Sequence, residues 1–378
     1  MTDTYLVEPD VEFIKDVKAL GGGDVKKCFQ CATCAVVCPI SPDTKPFPRK
    51  EMIAASWGLK DRLVKDSDIW LCHQCGDCSD KCPRGAKPGD VLSALRSYAV
   101  AAYAKPKFLA DWVNDPKKLP ILFAIPVVIF LVIGLLTGQL NFSPEPGAIV
   151  QAKFFSVILV QIIFPLLALL LTVSLVLSLK DYLNDIHADA VLYGRTKKKE
   201  LDYKELGQAL VRVLPIILKQ DKFSECSENS DRDTPHLMVL YSFIGLAIVT
   251  GIFFVVLDVF RIPGPYSQLN PVKWLANVSG VTLLIGSGLM IKNRLSKKDD
   301  QVSMYKDWYL LGLVFGVGLT GMLTEMTRLA GTACPTYFFY FLHLMFVFVL
   351  FMSLPYSKLA HIAYRTVVMA YNEYSGRK

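Results

Sequence analysis

After residue 118 the chain is dominated by blocks of apolar residues, each about twenty long, whereas positions 1–118 mix polar and charged residues with short apolar runs. A bilayer core takes about 20 helical residues to cross. The pattern therefore predicts transmembrane helices near 119–138, 154–179, 237–257, 271–291, 308–330 and 337–357. The fourth block is the weakest, with Lys273 and Asn277 in its first turns. Dropping it would move the C-terminal tail to the opposite side from the head. Two domains are expected: a cytoplasmic head at 1–118 and a membrane body at 119–378. The fold class expected is all-α, a helical head followed by a six-helix transmembrane bundle.

Charge orients this arrangement. The segment 181–235 carries Arg195, Lys197, Lys198, Lys199, Lys204, Arg212, Lys219, Lys222 and Arg232. The connection near 292–306 adds Lys292, Arg294, Lys297, Lys298 and Lys306, whereas the loops at 139–153 and 259–270 offer only Lys153 and Arg261. The positive-inside rule places both termini in the cytoplasm of a multi-pass protein of the cytoplasmic (inner) membrane. The opening "MTDTYLVEPDVEFIKDV" has neither a basic n-region nor an apolar h-region, so no cleaved signal peptide is expected. The formal charge of +7 is thus a membrane feature and calls for no nucleic-acid partner. Within the basic loop, "YKELGQALVRVLPIILK" (203–219) has the pattern of an amphipathic helix, either lying on the membrane face or presenting a solvated basic face.

Eight of the ten cysteines lie in two copies of C-x2-C-x2-C-x3-C-P, "CFQCATCAVVCP" (28–39) and "CHQCGDCSDKCP" (72–83). In this spacing the first three cysteines bind one [4Fe–4S] cluster and the fourth ligates the other. Cluster one is therefore assigned to Cys28, Cys31, Cys34 and Cys82, and cluster two to Cys72, Cys75, Cys78 and Cys38. Structural zinc sites more often use two well-separated C-x2-C pairs. Cys226 and Cys334 are left over as bystander thiols. Two short helices are expected between the motifs and a longer one over "KPGDVLSALRSYAVAAY". The head contains no G-x-G-x-x-G fingerprint and no Walker motif, so neither a dinucleotide fold nor an NTPase is indicated there.

There are five histidines: His73, His187, His236, His343 and His361. His73 lies inside the second cysteine motif and reads as a surface or supporting residue. On one continuous helix, His343 and His361 would share a face, roughly 27 Å apart along the axis. Such a pair suits axial haem ligands at two depths. His236 opens the third span at the depth of His361, so these two are expected to sandwich one haem b from facing helices. His343 is then a ligand of a second haem, with Met322, Met326 or an open position opposite it, or a quinone-binding residue beside Glu325 and Arg328. His187 is the alternative ligand on the cytoplasmic side. Ionisable residues inside spans are functional suspects by default.

The stretch "HLMFVFVLFMSLPYSKLAHIAY" (343–364) resembles the last haem-binding helix of the respiratory nitrate reductase gamma subunit family. The resemblance matches His343 to a distal haem ligand and His361 to a proximal one. Where that family has a second histidine on the partner helix, this chain has Leu246. The whole chain resembles the membrane subunit of the quinone-interacting membrane-bound oxidoreductase complex of sulfate reducers, a fusion of modules similar to the C and E subunits of heterodisulfide reductase. That resemblance implies haem b, two [4Fe–4S] clusters, menaquinone as substrate, and flavin and iron–sulfur partner subunits that exchange electrons with adenylylsulfate reductase. The expected function is electron transfer between the menaquinone pool and cytoplasmic redox chemistry, as a subunit of a quinone oxidoreductase. The alternative is a membrane subunit of a heterodisulfide-reductase-like or sulfite-reduction-associated complex. A redox-regulated transporter is a further class, which would need intramembrane acidic pairs or inverted repeats. A self-contained reductase would need a substrate site in the head, where all eight motif cysteines are consumed as ligands.

Overall fold

The computed structural model describes residues 8–43, 45–140, 149–219, 233–262, 264–296 and 303–376, and its regular elements are helices. Lys222, Cys226, Arg232, Lys297 and Lys298 lie outside the described residues.

The head is built from α1 (Val11–Val17), α2 (Thr33–Val36), α3 (Arg49–Trp57), α4 (Lys60–Val64), α5 (Asp68–Leu71), α6 (Asp77–Asp80) and α7 (Pro88–Tyr103), with α8 (Lys107–Asn114) leading to the membrane. Asp10 starts α1 by accepting the Phe13 N–H at 2.9 Å. Between the motifs there are three short helices rather than two. Gly58 explains the division between the first pair: its φ is +73°, and a Cβ there would lie 2.7 Å from the Asp10 carbonyl oxygen. Helix α7 packs against α1, α3, α4, α5 and α6, and Phe13, Met52, Leu63, Ile69, Trp70 and Leu92 bury their side chains around it.

Six helices are long and apolar enough to cross a membrane. They are α9 (Leu119–Leu136), α10 (Val157–Leu192), α12 (Asp233–Asp258), α13 (Pro271–Ser296), α14 (Tyr305–Leu329) and α15 (Ala333–Ser353), with α11 (Tyr203–Lys219) between α10 and α12, and α16 (Ala360–Ser375) at the end. Their outward faces carry exposed Val128, Leu166, Leu170, Val173 and Val278, as helices in lipid require. In the weak fourth block, Lys273 pairs with Glu325 and Asn277 donates to Gln268, so neither polar group faces hydrocarbon alone.

Helix α10 runs well past residue 179. Its last turns bring Tyr182, Leu183, Ile186 and Ala190 into the same core as Trp70, Tyr364, Val368 and Tyr371. Trp70 stacks on Tyr364 with ring centroids 4.8 Å apart and planes within 12°. The head therefore packs against the last turns of α10 and against α16. A second tie is polar. Lys306 Nζ donates to the Leu20 carbonyl at 2.9 Å and to Ser97 Oγ at 2.7 Å, while buried Asp307 accepts from Arg294 at 3.2 Å and from Lys358.

Helix α11 occupies the residues expected of it. It buries Ala209 and Val213 and packs on α16, and it leaves Leu210, Val211 and Leu214 exposed, so its apolar surface is divided between protein and surroundings.

One expectation is overturned. His343 and His361 do not share a continuous helix: α15 ends at Ser353 and α16 begins at Ala360. Pro355 lies in the turn between them and has no N–H to give a continuing helix. The five-turn register between these histidines therefore does not exist.

Candidate redox sites

The two cysteine motifs share one backbone path. Gln30 and Gln74 have φ of 62° and 56°, Ala32 and Gly76 have φ of 71° and 102°, and short helices α2 and α6 follow. These left-handed residues on either side of the second cysteine bend the chain sharply around it. The Gln30 and Gln74 N–H groups donate to Cys28 Sγ at 3.4 Å and Cys72 Sγ at 3.2 Å, and the Ala86 N–H donates to Cys82 Sγ at 3.4 Å.

Cys28, Cys31, Cys34 and Cys82 line one cavity. Burial foremost pushes the Cys34 thiol up to about 11, reinforced by the charges of Cys28, Cys82 and Cys31. Burial pushes Cys38 up to about 12, with Cys72 and Cys75 adding to the rise. Cys78 is raised likewise by burial, then by Cys72, Cys75 and Cys38. The fourth cysteine of each motif thus lies with the first three of the other. Burial makes Cys34, Cys38 and Cys78 resist ionisation, and a cationic centre such as cluster iron would reverse this by binding the thiolates. The donor sets fit two clusters.

The surroundings differ. Cys31 is exposed, Phe29 and Val36 are 67% and 83% exposed, and Arg84 lies 4.0 Å over the Phe29 ring. Around the second site Cys72, Cys75 and Cys78 are buried. There Arg96 Nη1 donates to the Cys72 carbonyl at 2.8 Å, and Arg365 Nη2 donates to His73 Nε2 at 2.6 Å.

The histidines separate into three environments. His361 opens α16 half-buried, and its Nδ1 donates to the Lys358 carbonyl. A carbonyl only accepts, so the proton sits on Nδ1 and Nε2 presents a lone pair, the tautomer a metal-ligating histidine needs. Desolvation foremost pushes His361 down to about 3, opposed by that carbonyl and reinforced by the charges of His236, Arg96 and Arg365. His236, in the first turn of α12, is therefore in electrostatic range of His361 from a different helix. Imidazole nitrogens on two different helices are a donor type that haem iron takes.

His343 faces α14. Its Nδ1 lies 3.1 Å from the Val317 carbonyl and 3.2 Å from Thr320 Oγ1, again leaving Nε2 as acceptor. Gly321 permits this approach, since a Cβ there would meet the His343 ring at 3.0 Å. The methionine partners considered for it are placed elsewhere: Met322 packs its sulfur where a Cβ on Gly280 of α13 would sit, and Met326 is exposed. Leu246 packs in the bundle core. Glu325 is clamped by Lys273 at 2.9 Å, Arg328 at 2.8 Å and Gln268 at 2.5 Å. Arg328 Nε also reaches the second carboxylate oxygen at 3.2 Å, so both oxygens of Glu325 are engaged.

His187 is corrected as an alternative ligand. Its Nε2 donates to the Lys199 carbonyl at 3.3 Å and its Nδ1 lies 3.1 Å from the Tyr371 hydroxyl, so both ring nitrogens serve the protein core. Residues that sequence reasoning passed over are Arg96, Arg365 and the Asp307–Lys358 pair. Only Arg365 carried a signal, one helical turn after His361.

Comparison with known proteins bears on the head. The 4Fe-4S dicluster domain family matches residues 24–86. The C subunit of the H(2):CoB-CoM heterodisulfide,ferredoxin reductase of Methanothermobacter marburgensis is 39% identical over 93 residues, 25% of this chain and 50% of that protein. A protein of Archaeoglobus profundus described as like the C subunit of heterodisulfide reductase is 35% identical over 89 residues, 23% of this chain and 47% of that protein. The C subunit of the ferredoxin:CoB-CoM heterodisulfide reductase of Methanosarcina mazei is 36% identical over 89 residues, 24% of this chain and 54% of that protein. The chain thus spans about half the length of the curated relatives it matches. No solved structure matches it. The head is an iron–sulfur dicluster domain related to the C subunit of heterodisulfide reductase, joined here to a body with six apolar helices.

Proposed function

We propose that the chain is the membrane electron-transfer subunit of a quinone oxidoreductase complex. It links menaquinone, through a haem b held by His236 and His361 and two [4Fe–4S] clusters, to cytoplasmic flavin and iron–sulfur subunits. On the family resemblance, those subunits serve adenylylsulfate reductase in sulfate respiration. When bound, these groups supply one-electron transfers. The protein's own residues hold them: two sets of four cysteines in the head, and two histidines at the bundle end beneath it. The observation that carries this reading is the shared junction. His361 opens the helix whose Arg365 touches His73 of the second cysteine motif, which supports a short path between the two sites.

The relatives' names favour a second reading, in which the soluble partners are those of a heterodisulfide-reductase-like complex. The membrane half of the proposal is the same in both.

The purified full-length protein should contain about eight cluster irons and show a low-spin b-type haem spectrum that menaquinol analogues reduce. His236→Ala and His361→Ala should each remove or convert that haem signal. An unchanged spectrum in either variant removes that residue from the ligand set, and a wild-type protein without haem ends the reading.

A further inference from the structure

We propose that Arg365 and His73 form a positioning pair that joins the histidine pocket of the membrane body to the second cysteine motif and sets the redox potential of the groups held on both sides. The inference rests on the haem and cluster reading above.

Arg365 lies four residues after His361 on α16, so the two side chains share a helix face. Its Nη2 donates to His73 Nε2 at 2.6 Å. Guanidinium only donates, so His73 accepts at Nε2, the nearer of its two ring nitrogens. His73 follows Cys72 directly and precedes Cys75 by two positions, within the loop that holds the second site. A second guanidinium braces the same loop from α7: Arg96 donates to the Ile69 carbonyl at 3.3 Å, the Cys72 carbonyl at 2.8 Å and Gln74 Oε1 at 3.2 Å. The charges of both arginines reach His361, and that of Arg365 also reaches His236.

Arg96 and Arg365 approach this junction from α7 and α16, with Asp233 near His236. Two guanidinium groups suit bound groups that carry carboxylates, as a haem does, or a net negative charge, as a thiolate-ligated cluster does. In low dielectric a nearby positive charge favours the electron-richer form of each group, and so raises its potential. At the position of His73 the first motif has Phe29, capped by Arg84 at the surface, and its loop is braced by Arg49, whose Nε donates to the Gln30 carbonyl at 3.0 Å; no arginine of the membrane body is among these contacts.

The test is a redox titration of the full-length protein, following haem by its visible bands and the clusters by EPR. In Arg365→Gln the haem and second-cluster midpoints should both move negative while the first cluster stays in place. Arg365→Lys, which keeps the charge, should restore most of the shift. His73→Phe retains Arg365 and should move the second cluster with haem content unchanged, which keeps the pair testable if Arg365→Gln does not fold. Wild-type haem and cluster content with only one midpoint, or neither, moved by Arg365→Gln would overturn the pairing. So would an unmoved second cluster in His73→Phe. A wild-type protein without haem would instead overturn the reading on which the pair rests.

Discussion

The two cysteine motifs share a backbone and differ in what surrounds it. Gln30 matches Gln74 and Ala32 matches Gly76 in left-handed conformation, yet position two of the motif is Phe29 in one copy and His73 in the other. Phe29 is 67% exposed on the surface of the head, whereas His73 is bonded to the C-terminal helix of the membrane body. Duplication thus supplies two similar ligand loops, and the flanking side chains give them different neighbours. An exposed site with an aromatic lip suits exchange with a soluble protein. A buried site braced by two arginines suits exchange with the membrane. The difference gives the proposed electron path two ends.

The sharpest way to break this comparison is to remove a ligand that crosses from one loop to the other. Cys38→Ala lies in the first motif, but its thiol sits among Cys72, Cys75 and Cys78. We expect complete loss or conversion of the buried cluster, with the surface cluster retained, by iron analysis and EPR. Loss confined to the cluster of Cys28, Cys31 and Cys34 would reverse the assignment of the fourth ligands.

The next largest effect concerns what buries the second site. Trp70 is 1% exposed, two residues before Cys72, and stacks on Tyr364 of α16. Trp70→Ala removes the ring from the core shared by head and body, at a cost of about 3–5 kcal/mol. Calorimetry should show the head melting earlier or uncoupling from the membrane body. A melting profile like the wild type's would mean that Lys306, through Leu20 and Ser97, holds the head in place without the aromatic core.

Much of this architecture was legible in the chain because its signals are local. Apolar blocks of bilayer length predicted six spans, and the helix over 203–219 followed from its own periodicity. The thiol spacing likewise announced two loops of one kind. What was not legible depends on tertiary placement. His343 and His361 looked like one helix face because spacing was taken as register; Pro355 and the turn around it removed that register. His187 looked available until Lys199 and Tyr371 occupied both its nitrogens. Arg96 has no motif, and only the folded head brings it to the Cys72 carbonyl. Glu325 read as an acid inside a span, yet Lys273, more than fifty positions earlier, is its ion partner.

The smallest expected effect sharpens the comparison from the exposed side. Phe29 packs mainly against Arg84, with ring and guanidinium 4.0 Å apart, so Phe29→Ala should leave stability within about 0.5 kcal/mol of wild type. Haem content, both cluster signals and their midpoints should also be unchanged, because neither the thiols nor their N–H donors are touched. What should change is docking. An exposed aromatic beside an arginine, at the rim of a cavity lined by four cysteines, has the composition of an interface anchor. In the intact complex, affinity for the soluble subunits should fall by about tenfold, which is about 1.4 kcal/mol. Electron exchange with them should slow accordingly, while reduction of the membrane centres by quinol keeps its rate. The Trp70 variant should show the opposite pattern, with weakened coupling to the membrane and an intact surface for partners. Equal losses at both ends in Phe29→Ala would mean that the motif copies do not divide the two tasks.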